Sequence, residues 1–191
     1  MASTIKATNI STPDGTGNIT VDRPLSGSGA SLTNLPAANL TGAMASGVTG
    51  GPFVRAYVNS TQSNITNNTF TKVILNAETY DTASEFDPTT NYRWTCGTAG
   101  KYLATANLTW DSGGIVQDKR HKVMIYKNGS QTSHNEIFTA QGSEFSMSVT
   151  DVYDMSATDY LEMYCWHLAG VDTPDIQAGA QTTWFAIARI I

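Results

Sequence analysis

Apolar and polar residues alternate with a period of two through most of the chain after position 53. The clearest stretch is Lys101–Trp110, where Tyr102, Ala104, Ala106, Leu108 and Trp110 fall on one face and mostly Thr and Asn on the other. Successive side chains of a strand point to opposite faces, so this pattern predicts a half-buried strand. Comparable runs predict strands at Phe53–Asn59, Phe70–Glu78, Asn91–Cys96, Lys122–Lys127, Ser130–Phe138, Phe145–Met155, Asp159–His167 and Gln181–Ile191. No window carries a helical period. About ten strands at this spacing, with turn residues between them, predict an all-β sandwich or barrel.

Two details refine the pattern. Asn128-Gly129 between two strand runs is a strong signal for a two-residue type I′ hairpin. Such a turn sets Lys127 opposite Ser130, and an unbroken ladder then sets Val123 opposite His134 and His121 opposite Glu136, a cross-strand charged pair. Trp184-Phe185-Ala186-Ile187-Ala188 and Leu161–Leu168 are apolar on both faces. One face of a sandwich strand is covered by the opposite sheet, so a second apolar face predicts a second covering surface, and hence self-association.

The pattern stops short of the N-terminus. All 18 aromatic residues lie at or after Phe53, while the first 52 residues hold half of the glycines and only four charges, Lys6, Asp14, Asp22 and Arg23. Gly47–Pro52 marks the joint between segments 1–52 and 53–191. The first segment lacks the apolar residues for a core of its own. It is either a disordered tail or a segment ordered by wrapping copies of itself or docking on a partner. Ile5, Ile10, Ile19 and Val21 in short strand-like runs, followed by Leu25, Leu32, Leu35 and Leu40 among small residues, favour ordering in an assembly, as a stalk or anchor.

Composition narrows the class. Charged residues make up 14 %, hydrophobic residues 40 %, and the net charge is −5. Lys119-Arg120-His121-Lys122 is the largest basic cluster, so no nucleic-acid footprint is present. The polar start predicts no secretory leader, no run approaches a membrane span, and synthesis in a cytosol is the expectation. Cys96 and Cys165 are then expected as buried thiols rather than a disulfide.

The motifs also carry a family resemblance over residues 53–191. Phe70-Thr71-Lys72-Val73-Ile74-Leu75-Asn76, Tyr80-Asp81, Phe86-Asp87-Pro88-Thr89-Thr90-Asn91-Tyr92-Arg93-Trp94 and Ala99-Gly100-Lys101-Tyr102-Leu103 resemble, in order and spacing, the globular head of complement-type proteins. That superfamily includes the tumour necrosis factors. Ile125–Gly129, Asp159–Met163 and Thr183–Ile190 resemble its central hairpin, a later strand and its closing strand. The resemblance implies a ten-stranded jelly roll forming a homotrimer, with apolar side chains meeting at the three-fold axis. Tyr164, Trp166, Trp184, Phe185 and Ile187 are the candidates for that interface. The N-terminal segment departs from the family, having no collagen repeat; residues 25–42 resemble linkers of bacteriophage fibre and virion proteins. Some relatives hold calcium through loop oxygens, which makes Asp172, Thr173 and Asp175 weak candidates; a solvated acidic loop is the simpler reading.

Enzyme signatures are missing. No Walker, His-Glu-x-x-His or Gly-x-Ser-x-Gly motif occurs, the carboxylates are dispersed, and His121, His134 and His167 read as isolated surface or hairpin histidines. Neither a catalytic residue nor a cofactor is assigned. The expectation is a non-enzymatic bacteriophage structural protein at the virion surface. Its N-terminal segment would bind other virion proteins, and its jelly-roll tip would contact a host glycan or protein through the Gly-, Ser- and Gln-rich loops Asp111–Gln117, Thr139–Glu144 and Ala169–Ala180. The rival is a capsid decoration (cement) protein that stabilises the head shell. A soluble ligand of the tumour necrosis factor kind and an enzyme rank below both.

Overall fold

A computed structural model describes residues 51–111, 113–140, 142–170 and 173–190. The anchoring candidates Ile5, Ile10, Ile19, Val21, Leu25, Leu32, Leu35 and Leu40 therefore lie outside the described residues, as does Asp172. The described chain is all-β, with eleven strands: β1 (Phe53–Tyr57), β2 (Thr71–Lys72), β3 (Ala77–Asp81), β4 (Phe86–Asp87), β5 (Arg93–Thr95), β6 (Gly100–Trp110), β7 (Arg120–Lys127), β8 (Ser130–Phe138), β9 (Phe145–Met155), β10 (Tyr160–Leu168) and β11 (Trp184–Arg189). A five-stranded sheet runs β3-β1-β11-β6-β9; a second runs β4-β5-β10-β7-β8, with β2 also paired to β10. All the pairings are antiparallel. The two sheets face each other as a jelly-roll sandwich.

Period-two alternation builds the core. Tyr102, Ala104, Ala106, Leu108 and Trp110 of β6 are all fully buried, and they meet Trp94, Val123, Ile125, Leu161, Met163 and Cys165 from the other sheet in one apolar cluster. Trp94 packs on Tyr102 with ring centroids 4.7 Å apart. Its indole N–H donates to Glu85 Oε2 at 2.9 Å, and the Tyr102 hydroxyl donates to the Thr98 carbonyl at 2.6 Å. Trp94 and Tyr102 thus each keep a partner for their polar atom, whereas the Trp110 indole nitrogen has none among the described residues. Cys96 and Cys165 are buried thiols.

The structure corrects two of the sequence-derived elements. The run Phe70–Glu78 is not one strand. β2 pairs with β10 in one sheet and β3 with β1 in the other. The chain crosses between the sheets here, with Val73 and Leu75 both buried in the core. The Gln62 side chain replaces a strand neighbour at the crossing: its amide donates to the Lys72 carbonyl at 2.9 Å and accepts from the Ile74 N–H at 2.9 Å.

The β7–β8 register is the second correction. Asn128 and Gly129 both have positive φ (52° and 76°), as a type I′ turn requires, and Lys127 does oppose Ser130. A bulge at Thr132 then shifts the ladder by one residue, so that Val123 opposes Asn135, Lys122 opposes Glu136 and His121 opposes Ile137. One residue of slip exchanges the faces of a strand. Glu136 accordingly joins Lys122 (3.0 Å) and Arg120 in ion pairs on the outer face, while His121, of the same parity on β7 as Val123 and Ile125, points into the core.

Candidate functional site

The outer face of the β3-β1-β11-β6-β9 sheet carries ordered rows of side chains. Cross-strand pairing aligns Phe53, Ala188, Leu103 and Val152 into one apolar row. Arg55, Ala186, Thr105 and Thr150 form the next, and Tyr57, Trp184, Asn107 and Ser148 the third. Phe53, Leu103, Val152 and neighbouring Tyr80 are 40 %, 39 %, 49 % and 47 % exposed, half of the eight large hydrophobic residues exposed among the described residues. A shallow groove of about 100 Å³ runs between them, floored by the small side chains of Ala186 and Ala188. Arg55 lies over the Trp184 ring, 4.3 Å from its centroid, and flattens that part of the face.

The five candidates for the trimer interface do not come together. Phe185 and Ile187 point inward and are enclosed by their own protomer, at 0 % and 2 % exposure. Strand alternation sends Trp184, Ala186 and Ala188 the other way, onto the face just described. Tyr164 and Trp166 lie on the outer face of the opposite sheet. There Tyr164 stacks on Tyr126 at 4.1 Å, and Trp166 is covered by Phe70, Arg120 and Lys122. Phe53, Tyr80, Leu103 and Val152 come from four separate stretches of the sequence; only the strand register collects them into a patch.

A second patch sits at the end of the sandwich where the three predicted binding loops gather. These loops brace one another: the Asp111 N–H donates to the Asp175 carbonyl at 2.9 Å, and the Asp118 N–H to the Thr139 carbonyl at 2.7 Å. Gly114, at φ 78°, passes so close to Pro174 that a Cβ would lie 2.9 Å from its backbone nitrogen. Beside the loops, β10, β7 and β8 align Leu168, Arg120 and Phe138 in one row and Trp166, Lys122 and Glu136 in the next. Phe138 is 67 % exposed. Beyond it opens a depression of about 340 Å³ lined by Ile137, Phe138, Thr139, Ala140, Ser143 and Phe145.

Beneath this end lies a buried imidazole pair. His121 and His167 are opposite each other on β7 and β10, stacked with centroids 5.9 Å apart, and both are fully buried. Trp110 meets both rings edge-on, and Phe145 meets His121. The Ala169 N–H donates to His167 Nδ1 at 3.2 Å, which places the proton on Nε2, where it is donated to the Ile65 carbonyl at 2.8 Å. His121 has no hydrogen-bond partner among the described residues. Burial lowers its pKa to about 4, His167 adds to the shift, and the Lys119 carbonyl, near the ring but outside hydrogen-bond geometry, weakly opposes it. Burial also lowers His167. These two histidines are therefore buried rather than at the surface, although His121 does lie on the β7–β8 hairpin; His134 is exposed on β8.

Asp175 is half-buried, with Oδ1 accepting the Asn64 N–H at 2.7 Å, and Thr173 donates to the Asn64 side chain at 3.3 Å. Among the described residues, no group of three or more His, Cys, Asp or Glu side chains is arranged to hold a metal.

No family model and no curated protein matches the chain. Solved structures do resemble it. The globular domain of the zebrafish complement 1qA protein superposes with a TM-score of 0.54 at 15 % identity, over 74 % of this chain and 98 % of that one. Murine APRIL, crystallised at pH 5.0, gives 0.54 at 9 % identity over 73 % and 98 %. The Eiger tumour necrosis factor of S. frugiperda gives 0.50 at 9 % over 74 % and 94 %. By its sheet order and these likenesses, the chain carries a jelly-roll domain whose fold is similar to that of the complement-head and tumour-necrosis-factor domains.

Proposed function

We propose that this chain is a non-enzymatic structural protein of a bacteriophage virion. Its head assembles as a homotrimer through the outer face of the β3-β1-β11-β6-β9 sheet, its N-terminal segment attaches to other virion proteins, and its tip contacts the host surface. The observation that carries the reading is the apolar row Phe53–Ala188–Leu103–Val152, which crosses four strands on the outer face of one sheet. A patch of this kind, rimmed by Arg55 and Thr105, has the composition of a subunit interface. The virion assignment rests on residues 25–42, whose Leu-punctuated, Gly- and Ser-rich run resembles phage fibre linkers.

Sedimentation velocity of the full chain at micromolar concentration tests the assembly. A three-chain mass is expected, and Leu103→Glu is expected to give single chains with an intact far-UV spectrum. A wild-type protein that sediments as one chain would sink the trimer. Immunogold labelling of particles from the producing cells tests the location. Label at a tail tip supports host contact. Label spread over the head favours the cement reading, the second choice.

A further inference from the structure

We infer that the Phe138–Arg120–Trp166 corner of the second sheet is a binding site for a carboxylate-bearing polysaccharide. The inference deepens the proposed host contact and rests on it for its biological setting. The corner is a pre-formed platform. Phe70 stacks on Trp166 with centroids 6.4 Å apart, and the Arg120 guanidinium bridges from Trp166 (5.6 Å) to Phe138 (5.9 Å). Lys122 lies 5.0 Å from the Trp166 centroid. Rings fixed this way lose little freedom when a ligand covers them.

Three features select the ligand. Phe70 and Phe138, 53 % and 67 % exposed, offer flat apolar surface beside polar groups, which suits the C–H face of a pyranose ring. Arg120 uses Nε for Glu136, and no described residue accepts from its two Nη groups, the fork that grips a carboxylate in a bidentate pair. Two cations against the single anion Glu136 leave the corner positive on a chain of net charge −5, so it complements an anion. The depression beyond Phe138 extends the same surface with Thr139 and Ser143 in its wall. In a trimer three such corners act together, so weak single-site binding suffices for retention.

The test is biolayer interferometry of the full chain on immobilised polygalacturonate, neutral dextran and poly-glutamate. Polygalacturonate is expected to bind at least tenfold more tightly than either control, and binding should weaken as salt rises. Phe138→Ala, at a ring so exposed that the melting temperature should hold, is expected to reduce polygalacturonate binding at least tenfold; Arg120→Gln should reduce both the binding and its salt dependence. Equal binding to poly-glutamate would show a mere charge effect or an acidic protein partner and overturn the inference. So would an absence of binding to polygalacturonate, or indifference to both substitutions. Adsorption of the same proteins to host cells separates this inference from the host-contact reading. Wild-type adsorption that Phe138→Ala leaves unchanged keeps that reading and removes this site. Loss of polygalacturonate binding without any wild-type adsorption to cells keeps the site and removes that reading.

Discussion

Individual residues do different work according to their parity along a strand. Phe185 is enclosed in the core, so Phe185→Ala is expected to cost about 3–5 kcal/mol in urea unfolding. Leu103 faces outward, and its loss should change assembly instead. The buried imidazoles make stability depend on pH. The folded His121 pKa, about 4, lies below the ordinary value of 6.5, so between these values the unfolded chain binds more protons than the folded one. Stability is therefore complete above pH 6.5 and falls as the pH drops toward 4, by at most about 3 kcal/mol from this residue. His167 shifts in the same direction. Neither ring has a carboxylate hydrogen-bond partner among the described residues to stabilise its charged form. Urea midpoints at pH 7.5 and 5.0 should differ clearly in the wild type and much less in His121→Leu; an identical difference in both proteins would disprove the role given to His121. Two histidines spaced 46 positions apart gave no sign of this pairing, because it depends on the register of β7 against β10.

Hairpins and crossings show how far an element can be read from its own residues. The Asn128-Gly129 turn was legible because its backbone requirement is local. Asn128 adopts φ 52° and its side chain donates to Asp159 Oδ1 at 2.8 Å and accepts the Tyr160 N–H at 2.9 Å. Asn128→Ala removes both bonds and the residue's tolerance of that φ, and about 1–2 kcal/mol of stability should go with them by denaturant unfolding. An unchanged midpoint would mean that the β8 end of the hairpin is anchored elsewhere. The bulge at Thr132 was not legible. Its hydroxyl donates to the Ile125 carbonyl at 3.0 Å, a contact no turn rule anticipates, and it moves Glu136 from the expected His121 to Lys122. The Phe70–Glu78 run failed for a related reason. Val73 and Leu75 alternate as a strand should, but their burial comes from crossing between the sheets, with Gln62 supplying the missing hydrogen bonds. Alternation reports which side chains are buried, and leaves open which sheet buries them.

At the scale of the whole molecule, two sheets each bury one face and leave the other outside, and seven of the eight large hydrophobic residues exposed among the described residues divide between those outer faces. Phe53, Tyr80, Leu103 and Val152 lie on one, and Phe70, Phe138 and Leu168 on the other. The first group has little charge among it and suits a permanent contact between identical chains. The second is threaded with Arg120 and Lys122 and suits a reversible polar ligand. Doubly apolar strands in the sequence pointed to a second covered surface, and the residues then chosen divide among the core (Phe185, Ile187), the outer face of the first sheet (Trp184) and that of the second (Tyr164, Trp166), a division that only the sheet order reveals. The distinction has a thermodynamic consequence. If three chains fold and associate together, dilution favours the unfolded chain by mass action. A hundredfold rise in protein concentration is then expected to raise the melting temperature by on the order of 5 °C. Leu103→Glu should melt lower and at the same temperature at every concentration. Because the contact is apolar, this dependence should survive high salt, whereas polysaccharide binding at the Arg120 corner should not. A wild-type melting temperature independent of concentration would place the apolar row outside any stable interface, whatever the tip binds.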